Sequence, residues 1–240
     1  MTQSDLIIIG AGPGGYELAA RRAAAGERVV IIEDRQVGGT CLNRGCIPTK
    51  CLCRSAEVLK TVREAEAFGV KAGEVNVDYS RAVARMNAVV DSLRQGVETL
   101  LKGCEVVEGR GEFTPEGHVR VGEREFSAPR IIIATGSKPA MLPIPGAELA
   151  MTSDELLAME TLPESMAIIG GGVIGLEFAS IMNEFGVNVT VIEYCKEILP
   201  PFDKDVAKRL RSLLSRRGIT FVTGSAVTSV TESENGPTVT

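Results

Sequence analysis

No run of apolar residues in this chain approaches the ~20 that a membrane-spanning helix needs. The first ten residues, MTQSDLIIIG, lack a basic stretch and carry too short an apolar one for a secretory signal, so they read as a strand running into a glycine turn. Basic charge is not in excess: 26 Lys and Arg stand against 31 Asp and Glu in 240 residues, a formal net charge of −5. Nucleic acid or an anionic membrane would call for a basic patch, so neither is expected as a partner. Histidine is down to His118, which reads as a surface-loop residue. These absences lead to the expectation of a cytoplasmic protein. The hydrophobic content of 44% suffices for a sizeable core, and 24% charged residues argue against disorder.

What is present is a repeat. Asp5 to Glu33, DLIIIGAGPGGYELAARRAAAGERVVIIE, returns without a gap as Ser165 to Glu193, SMAIIGGGVIGLEFASIMNEFGVNVTVIE, on adding 160 to each number. Gly10, Gly12, Gly15, Glu17, Gly26 and Glu33 thereby fall on Gly170, Gly172, Gly175, Glu177, Gly186 and Glu193. Each copy reads as a buried β-branched strand, a G-x-G-x-x-G turn, a helix closed by glycine, and a second strand ending in glutamate. That is the βαβ unit of a dinucleotide fold. A lone glycine motif is weak, but here strand, helix and terminal acid all accompany it. The first glycine permits the tight turn, the second lets backbone N–H groups approach a pyrophosphate, and the third lets helix and strand pack closely. The glutamates can accept hydrogen bonds from a ribose diol, and an acid at Glu193 favours NAD over NADP because a 2′-phosphate would be repelled.

Between the copies, a helix is expected from after Pro48 to about Phe68. A long helix is expected over Tyr79 to Lys102, with Asp78 as its N-cap and Gly103 at its end. Short β-like runs separated by TPEG and VGER occupy Glu105 to Phe126. A buried strand follows, Ile131 to Thr135, with a small-residue turn at Gly136 and Ser137. MLPIPG, Met141 to Gly146, reads as a linker, which sets the expected domains at 1–147 and 148–240. The fold class expected is α/β: two Rossmann-like units with a small β-rich insertion. The tail contains a turn signal, Asn235-Gly236, followed by a β-like run with no evident partner.

GGTCLNRGCIPTK, Gly38 to Lys50, holds two cysteines five positions apart. On an ideal helix five residues rise about 7.5 Å, whereas disulfide Cα atoms usually lie within about 6.8 Å. The segment must therefore bend if Cys41 and Cys46 join, and the glycines and Pro48 supply the means. So small a loop would stabilise the fold little, which makes a redox role more rewarding than a structural one. In a reducing compartment paired cysteines are in any case catalytic or metal-binding more often than structural. A metal site is the rival reading, since Cys51 and Cys53 follow. The spacing C-x4-C-x4-C-x-C matches neither zinc knuckles nor ferredoxins, so no metal is expected. Cys51 and Cys53 read as packing residues of the following helix, and Cys104 and Cys195 as isolated thiols.

Two dinucleotide fingerprints, GGTCLNRGCIPTK between them and ATGSKP ahead of the second resemble the flavin-dependent pyridine nucleotide–disulfide oxidoreductases. GPGGY, CLNRGCIPTK and GGGVIGLE are closest in wording to the dihydrolipoamide dehydrogenases of that family. The resemblance covers essentially the whole chain. It implies that Gly10, Gly12, Pro13, Gly14 and Gly15 hold the FAD pyrophosphate, with Glu33 on the ribose. It implies that Gly39, Thr40 and Lys50 lie along the flavin, that Gly111 meets the adenine, and that Ala134, Thr135, Gly136 and Ser137 pass close to the FAD. NAD would fall to Gly170, Gly172, Val173, Ile174, Gly175 and Glu193. Cys41 would be the interchange thiol and Cys46 the thiol beneath the flavin, while Lys50 would pair with Glu177. Glu17 stands at the same place in the first copy, so an acid there proves nothing by itself. The activity implied carries electrons from dihydrolipoamide through Cys41–Cys46 and FAD to NAD⁺. The substrate would be borne on a lipoyl domain of a 2-oxoacid dehydrogenase or glycine cleavage complex.

A family member is expected to continue beyond Thr240, completing the NAD unit and ending in a dimerisation domain that supplies a histidine–glutamate acid–base pair and builds a homodimer. His118 does not match that pair. The alternatives are a truncated, catalytically incompetent FAD/NAD-binding module, or a related flavin disulfide reductase with another substrate.

Overall fold

The computed structural model describes residues 1–234 and 236–240, so the Asn235 half of the expected tail turn lies outside the described residues. The chain divides into two compact units, each assembled from separated segments: 1–48 with 87–138, and 49–86 with 139–240.

In chain order, β1 (Thr2–Gln3) and β2 (Leu6–Ile9) lead into α1 (Pro13–Ala24) and β3 (Val29–Glu33), followed by α2 (Gly39–Arg44) and α3 (Cys46–Arg63). Pro48 sits within the first turn of α3, where its missing N–H costs nothing, so this helix begins before the proline rather than after it. A 3₁₀ turn at Ala65–Phe68 closes on Gly69 in the left-handed region. Helix α4 (Tyr79–Leu100) is capped as expected: Asp78 Oδ1 accepts from the Arg81 N–H at 3.0 Å, and this bond holds the Asp78 carboxyl below the usual carboxylate range. The last turn tightens to 3₁₀ at Leu101–Gly103. The β-rich stretch is β4 (Glu105–Glu108), β5 (Glu112–Phe113), β6 (Val119–Val121) and β7 (Arg124–Ser127), and β8 (Ile131–Ile133) follows. Next come α5 (Ser153–Leu157), β9 (Ser165–Ile169), α6 (Val173–Glu184), β10 (Asn188–Glu193), α7 (Lys204–Arg216), β11 (Thr220–Thr223), β12 (Val230–Thr231) and β13 (Thr238–Val239).

In the first unit β4-β3-β2-β8 form a parallel sheet, beside a second sheet ordered β1-β7-β6-β5. The period of two along β2 and β3 divides the core. Leu6, Ile8, Val29 and Ile31 face Ala19, Leu42, Val90 and Val97 on the helices. Ile7, Ile9, Val30 and Ile32 face Val119, Val121 and Phe126 of the inserted sheet. Both faces of the two central strands are thus covered, which is why β2 and β3 are aliphatic without alternation. The strand expected to be buried over Ile131 to Thr135 is instead the edge strand β8, with Ile132 and Ile133 exposed, because nothing among the unit's described residues pairs with its outer edge. His118 is not a bare loop histidine: it abuts β6, and its Nδ1 lies 2.5 Å from Glu125 Oε1 on β7.

The second unit has the parallel sheet β11-β10-β9. Its core joins Leu176, Phe178, Ile181 and Met182 of α6 to Leu52 and Leu59 of α3 and to Tyr79, Val83 and Met86 of α4. The tail run does find a partner: β12 pairs antiparallel with β13, Val230 opposite Val239.

Tyr79 packs edge-on to Phe185 with ring centroids 5.3 Å apart, and burial raises the pKa of its phenol. Its hydroxyl finds no hydrogen-bond partner among the described residues. An unpaired buried hydroxyl costs about 1–3 kcal/mol. Tyr79→Phe should therefore hold or raise the denaturation midpoint, whereas Tyr79→Ala should lower stability by about 3–5 kcal/mol. Urea unfolding compares the two, and a Phe variant as damaged as the Ala variant would show that the hydroxyl is satisfied in solution.

Candidate functional site: two glycine loops and a thiol pair

In both copies the helix leaves its strand with no room for side chains. A Cβ on Gly15 would run into the Gly10 carbonyl and one on Gly175 into the Gly170 carbonyl, so each third glycine is where helix backbone meets strand backbone. Gly10 and Gly170 themselves have φ of 105° and 108°, which favours glycine. Helix α1 begins at N-cap Gly12 and α6 at N-cap Gly172, and neither has a side-chain cap or an acid in its first turn. Their leading N–H groups are left to whatever lies in front of them. A Cβ on Gly14 or Gly172 would meet nothing within 4 Å. Open space against uncapped N–H groups at the positive end of a helix dipole fits a pyrophosphate, so the residues present at each loop can accept a dinucleotide such as FAD or NAD. Pro13, Gly14, Val173 and Ile174 are exposed on these turns.

The two acids do something the sequence did not announce. Glu33 Oε2 accepts from the Ala11 N–H at 2.7 Å and its Oε1 from the Arg35 N–H at 3.0 Å. Glu193 repeats this: Oε2 accepts from Gly171 N–H at 2.6 Å and Oε1 from Cys195 N–H at 2.7 Å, with the side chain buried. Each carboxylate fastens its glycine loop to the end of the second strand while keeping lone pairs for a further donor. The spacing of the acid raised the expectation of a ribose acceptor and gave no hint of these backbone partners.

In the first unit the segment after β3 returns to the first loop: Gly38 N–H bonds the Ala11 carbonyl at 2.8 Å, and a Cβ on Gly39 would overlap the Gly12 Cα. Thr40 is exposed beside it. Gly111 is enclosed by Ile9, Val119 and Ile32, so only its backbone can face a ligand. Strand β8 stops at Ile133 rather than Thr135, but the Ala134 N–H still bonds the Ile9 carbonyl at 2.8 Å. Thr135, Gly136 and Ser137 follow as exposed irregular backbone, with Gly136 at φ 67°.

Cys41 lies in α2 and Cys46 heads α3, and both are free thiols. The helix is interrupted at Gly45, where a Cβ would come within 3.0 Å of the Thr40 carbonyl. This is the bend that the spacing demands, and it brings Cys46 close enough to act on the Cys41 thiol. Burial, then the hydrogen bond and charge of Cys46, push the Cys41 thiol above the usual thiol range. Cys51 and Cys53 pack against the second unit's core, and Cys104 against the first unit's. Lys50 Nζ forms an ion pair with Glu177 Oε1, joining α3 to α6 within the second unit. Glu17, the counterpart in the first copy, instead meets Arg21 at 3.7 Å on its own helix. Among the described residues no three His, Cys, Asp or Glu side chains converge as a metal site requires, and no helix is long and apolar enough to cross a membrane.

A repeated βαβ unit with an open, uncapped helix start in each copy defines a dinucleotide-binding α/β protein. The family model for pyridine nucleotide-disulphide oxidoreductases matches residues 4–240, and the chain belongs to that family, whose members work with FAD and NAD(H). Among its relatives, the dihydrolipoyl dehydrogenase of Bacillus subtilis is 45% identical over 94% of this chain and 51% of its own length. That of Acholeplasma laidlawii is 43% identical, over 94% of this chain and 70% of its own length. In structure, the HOCl-induced flavoprotein disulfide reductase RclA of Escherichia coli, as its Cu(II) complex, superposes with a TM-score of 0.86 at 33% identity. The superposition covers 100% of this chain and 53% of that one. The chain thus spans about half the length of the Bacillus subtilis relative and of RclA.

The cradle is tested by two neighbouring glycines. Gly15→Ala should lower the melting temperature of the ligand-free chain, since overpacking against backbone costs about 1–3 kcal/mol or more. Gly14→Ala should leave that temperature unchanged yet weaken FAD binding, measured by flavin fluorescence quenching. Unaltered FAD affinity would show that the open space is not used. The thiol is tested by alkylation: carbamidomethylation of Cys41, followed by peptide mass spectrometry, should reach half its limiting rate above the pH typical of free cysteine, because only the thiolate reacts. A midpoint at or below that pH would mean that burial does not govern Cys41.

Proposed function

We propose that this chain is the FAD- and NAD-binding portion of a dihydrolipoyl dehydrogenase-type disulfide oxidoreductase. Residues 1–147 serve FAD and the redox cysteines, and 148–240 serve NAD. The observation that carries the reading is the thiol pair itself: Cys41 and Cys46 meet across a helix break at Gly45, on a segment whose Gly39 backs onto the first pyrophosphate loop.

Chemically, a dihydrolipoamide thiolate attacks Sγ of Cys41 in the oxidised pair and releases Cys46 as thiolate, forming a mixed disulfide. The substrate's second thiol then attacks its own bridged sulfur, releasing lipoamide and leaving both cysteines reduced. The substrate loses two electrons and the disulfide gains them. When bound, FAD supplies two-electron transfer between the dithiol and the nicotinamide. Gly10, Gly12, Pro13, Gly14 and Gly15 hold its pyrophosphate, Glu33 its ribose, and Gly39, Thr40, Gly111 and residues 134–137 its flanks. Lys50, kept in place by Glu177, presents a fixed positive charge at the flavin. Gly170, Gly172, Val173, Ile174, Gly175 and Glu193 hold NAD. The complete protein works in the cytoplasm as a homodimer, on a lipoyl domain of a 2-oxoacid dehydrogenase or glycine cleavage complex.

The RclA likeness supports a second reading, a related flavin disulfide reductase with a different disulfide substrate. The decisive experiment reconstitutes the chain with FAD and records visible spectra before and after NADH. New absorbance beyond the flavin band, lost in Cys46→Ser, is expected. A chain that binds no flavin would overturn the assignment of the first loop. Lipoamide should outcompete glutathione disulfide as oxidant for NADH in the complete protein, and the reverse order would select the second reading.

A further inference from the structure

Helix α2, which carries Cys41, has six residues. Helices shorter than about 12–15 residues are marginal alone in water. Something outside the helix must therefore fix the position of Cys41. One fastening is apolar, the buried Leu42. The other is a polar lock on the next residue. Asn43 Nδ2 donates to the carbonyls of Val37 and Gly39, each at 3.0 Å, and more distantly to Gln36 at 3.4 Å. Its Oδ1 accepts from Arg94 Nε at 2.9 Å, 51 residues away on α4. Arg94 is steadied in turn by Asp91 at 3.1 Å. All these residues lie in the first unit. Asn43 thus stands between the two cysteines and ties the turn before α2, the helix itself and a long packed helix into one body. The Arg94 bond also fixes which end of the amide faces the loop, since an arginine can only donate.

We propose that Asn43, oriented by Arg94, is the positioning residue that sets how readily Cys41 and Cys46 close into a disulfide, and so the redox potential of the pair. The inference rests on the redox reading of that pair. A disulfide forms in proportion to the effective concentration of one thiol at the other, which falls as the segment bearing either becomes free to wander. Releasing α2 should leave both thiols intact but disfavour the closed form, making the pair easier to reduce. A role confined to general stability would lower the melting temperature without moving this equilibrium.

The test equilibrates the full chain in dithiothreitol buffers of graded redox poise. Acid quenching, alkylation and mass spectrometry of the Cys41 and Cys46 peptides follow, which separates them from the other four free cysteines. Asn43→Ala should lower the disulfide-forming equilibrium constant by about three- to tenfold, equivalent to about 15–30 mV at 29.6 mV per decade. Arg94→Gln should shift it in the same direction by less, with Arg94→Lys restoring part of the loss. The double variant should match Asn43→Ala alone, because Arg94 acts through Asn43. If Asn43→Ala does not fold, Arg94→Gln against Arg94→Lys decides. Wild-type potentials in the folded variants, or additive effects in the double variant, would overturn the proposal while leaving the redox pair standing. A wild-type chain in which Cys41 and Cys46 never join would overturn both.

Discussion

Everything at the ligand-facing ends of these units depends on two backbones touching where a side chain would have kept them apart. Gly15 lies against the Gly10 carbonyl, and Gly175 against the Gly170 carbonyl. That contact draws each helix down onto its sheet and aims its uncapped N-terminus over the strand ends. The glutamate closing the next strand then clamps the loop from the other side. Dipole, N–H groups and open space converge because strand, helix and acid are each held by backbone, not by flexible side chains. The same solution 160 residues later shows that the geometry is local to the βαβ unit.

The thiol segment follows a different logic. Its helix is broken at Gly45, and its short first half depends on contacts from elsewhere in the unit. Cys41 is more enclosed than Cys46, which stands exposed at the head of α3.

Much of this was legible in the sequence because it is periodic or local. The aliphatic runs of β2 and β3 mark strands covered on both faces, whereas those of β8 and β9 are strands left partly open; the glycine spacing marks the turns, and Asp78 announced the start of α4. What was not legible required partners far along the chain. The start of α3 before Pro48 follows from first-turn tolerance that a proline count overlooks. The pairing of β13 with β12 depends on the facing strand, which the run itself does not name. Nothing in CLNRGC reveals that Asn43 meets an arginine 51 residues on. His118 likewise gave no sign of Glu125 on the neighbouring strand. The expected division at residue 147 followed the linker's composition, whereas compactness groups 49–86 with 139–240. A linker signal reports local flexibility, and helices contributed from upstream leave no trace in it.

That grouping bears on how the protein is made. During synthesis the ribosome delivers residues in order, at about 5–20 per second. The first unit's parallel sheet cannot be completed until β8 has emerged, after a segment destined for the other unit has already appeared. While residues 49–86 emerge, β2 and β3 hold eight aliphatic positions, from Leu6 to Ile9 and Val29 to Ile32, with both outer edges unpaired because β4 and β8 come later, and with the face awaiting Val119, Val121 and Phe126 uncovered. Long-range pairings of this kind slow folding and prolong exposure of sticky surface. Nascent chains would accordingly rely on chaperones over this window, a burden imposed by the order of the segments and not by any weakness in the finished core.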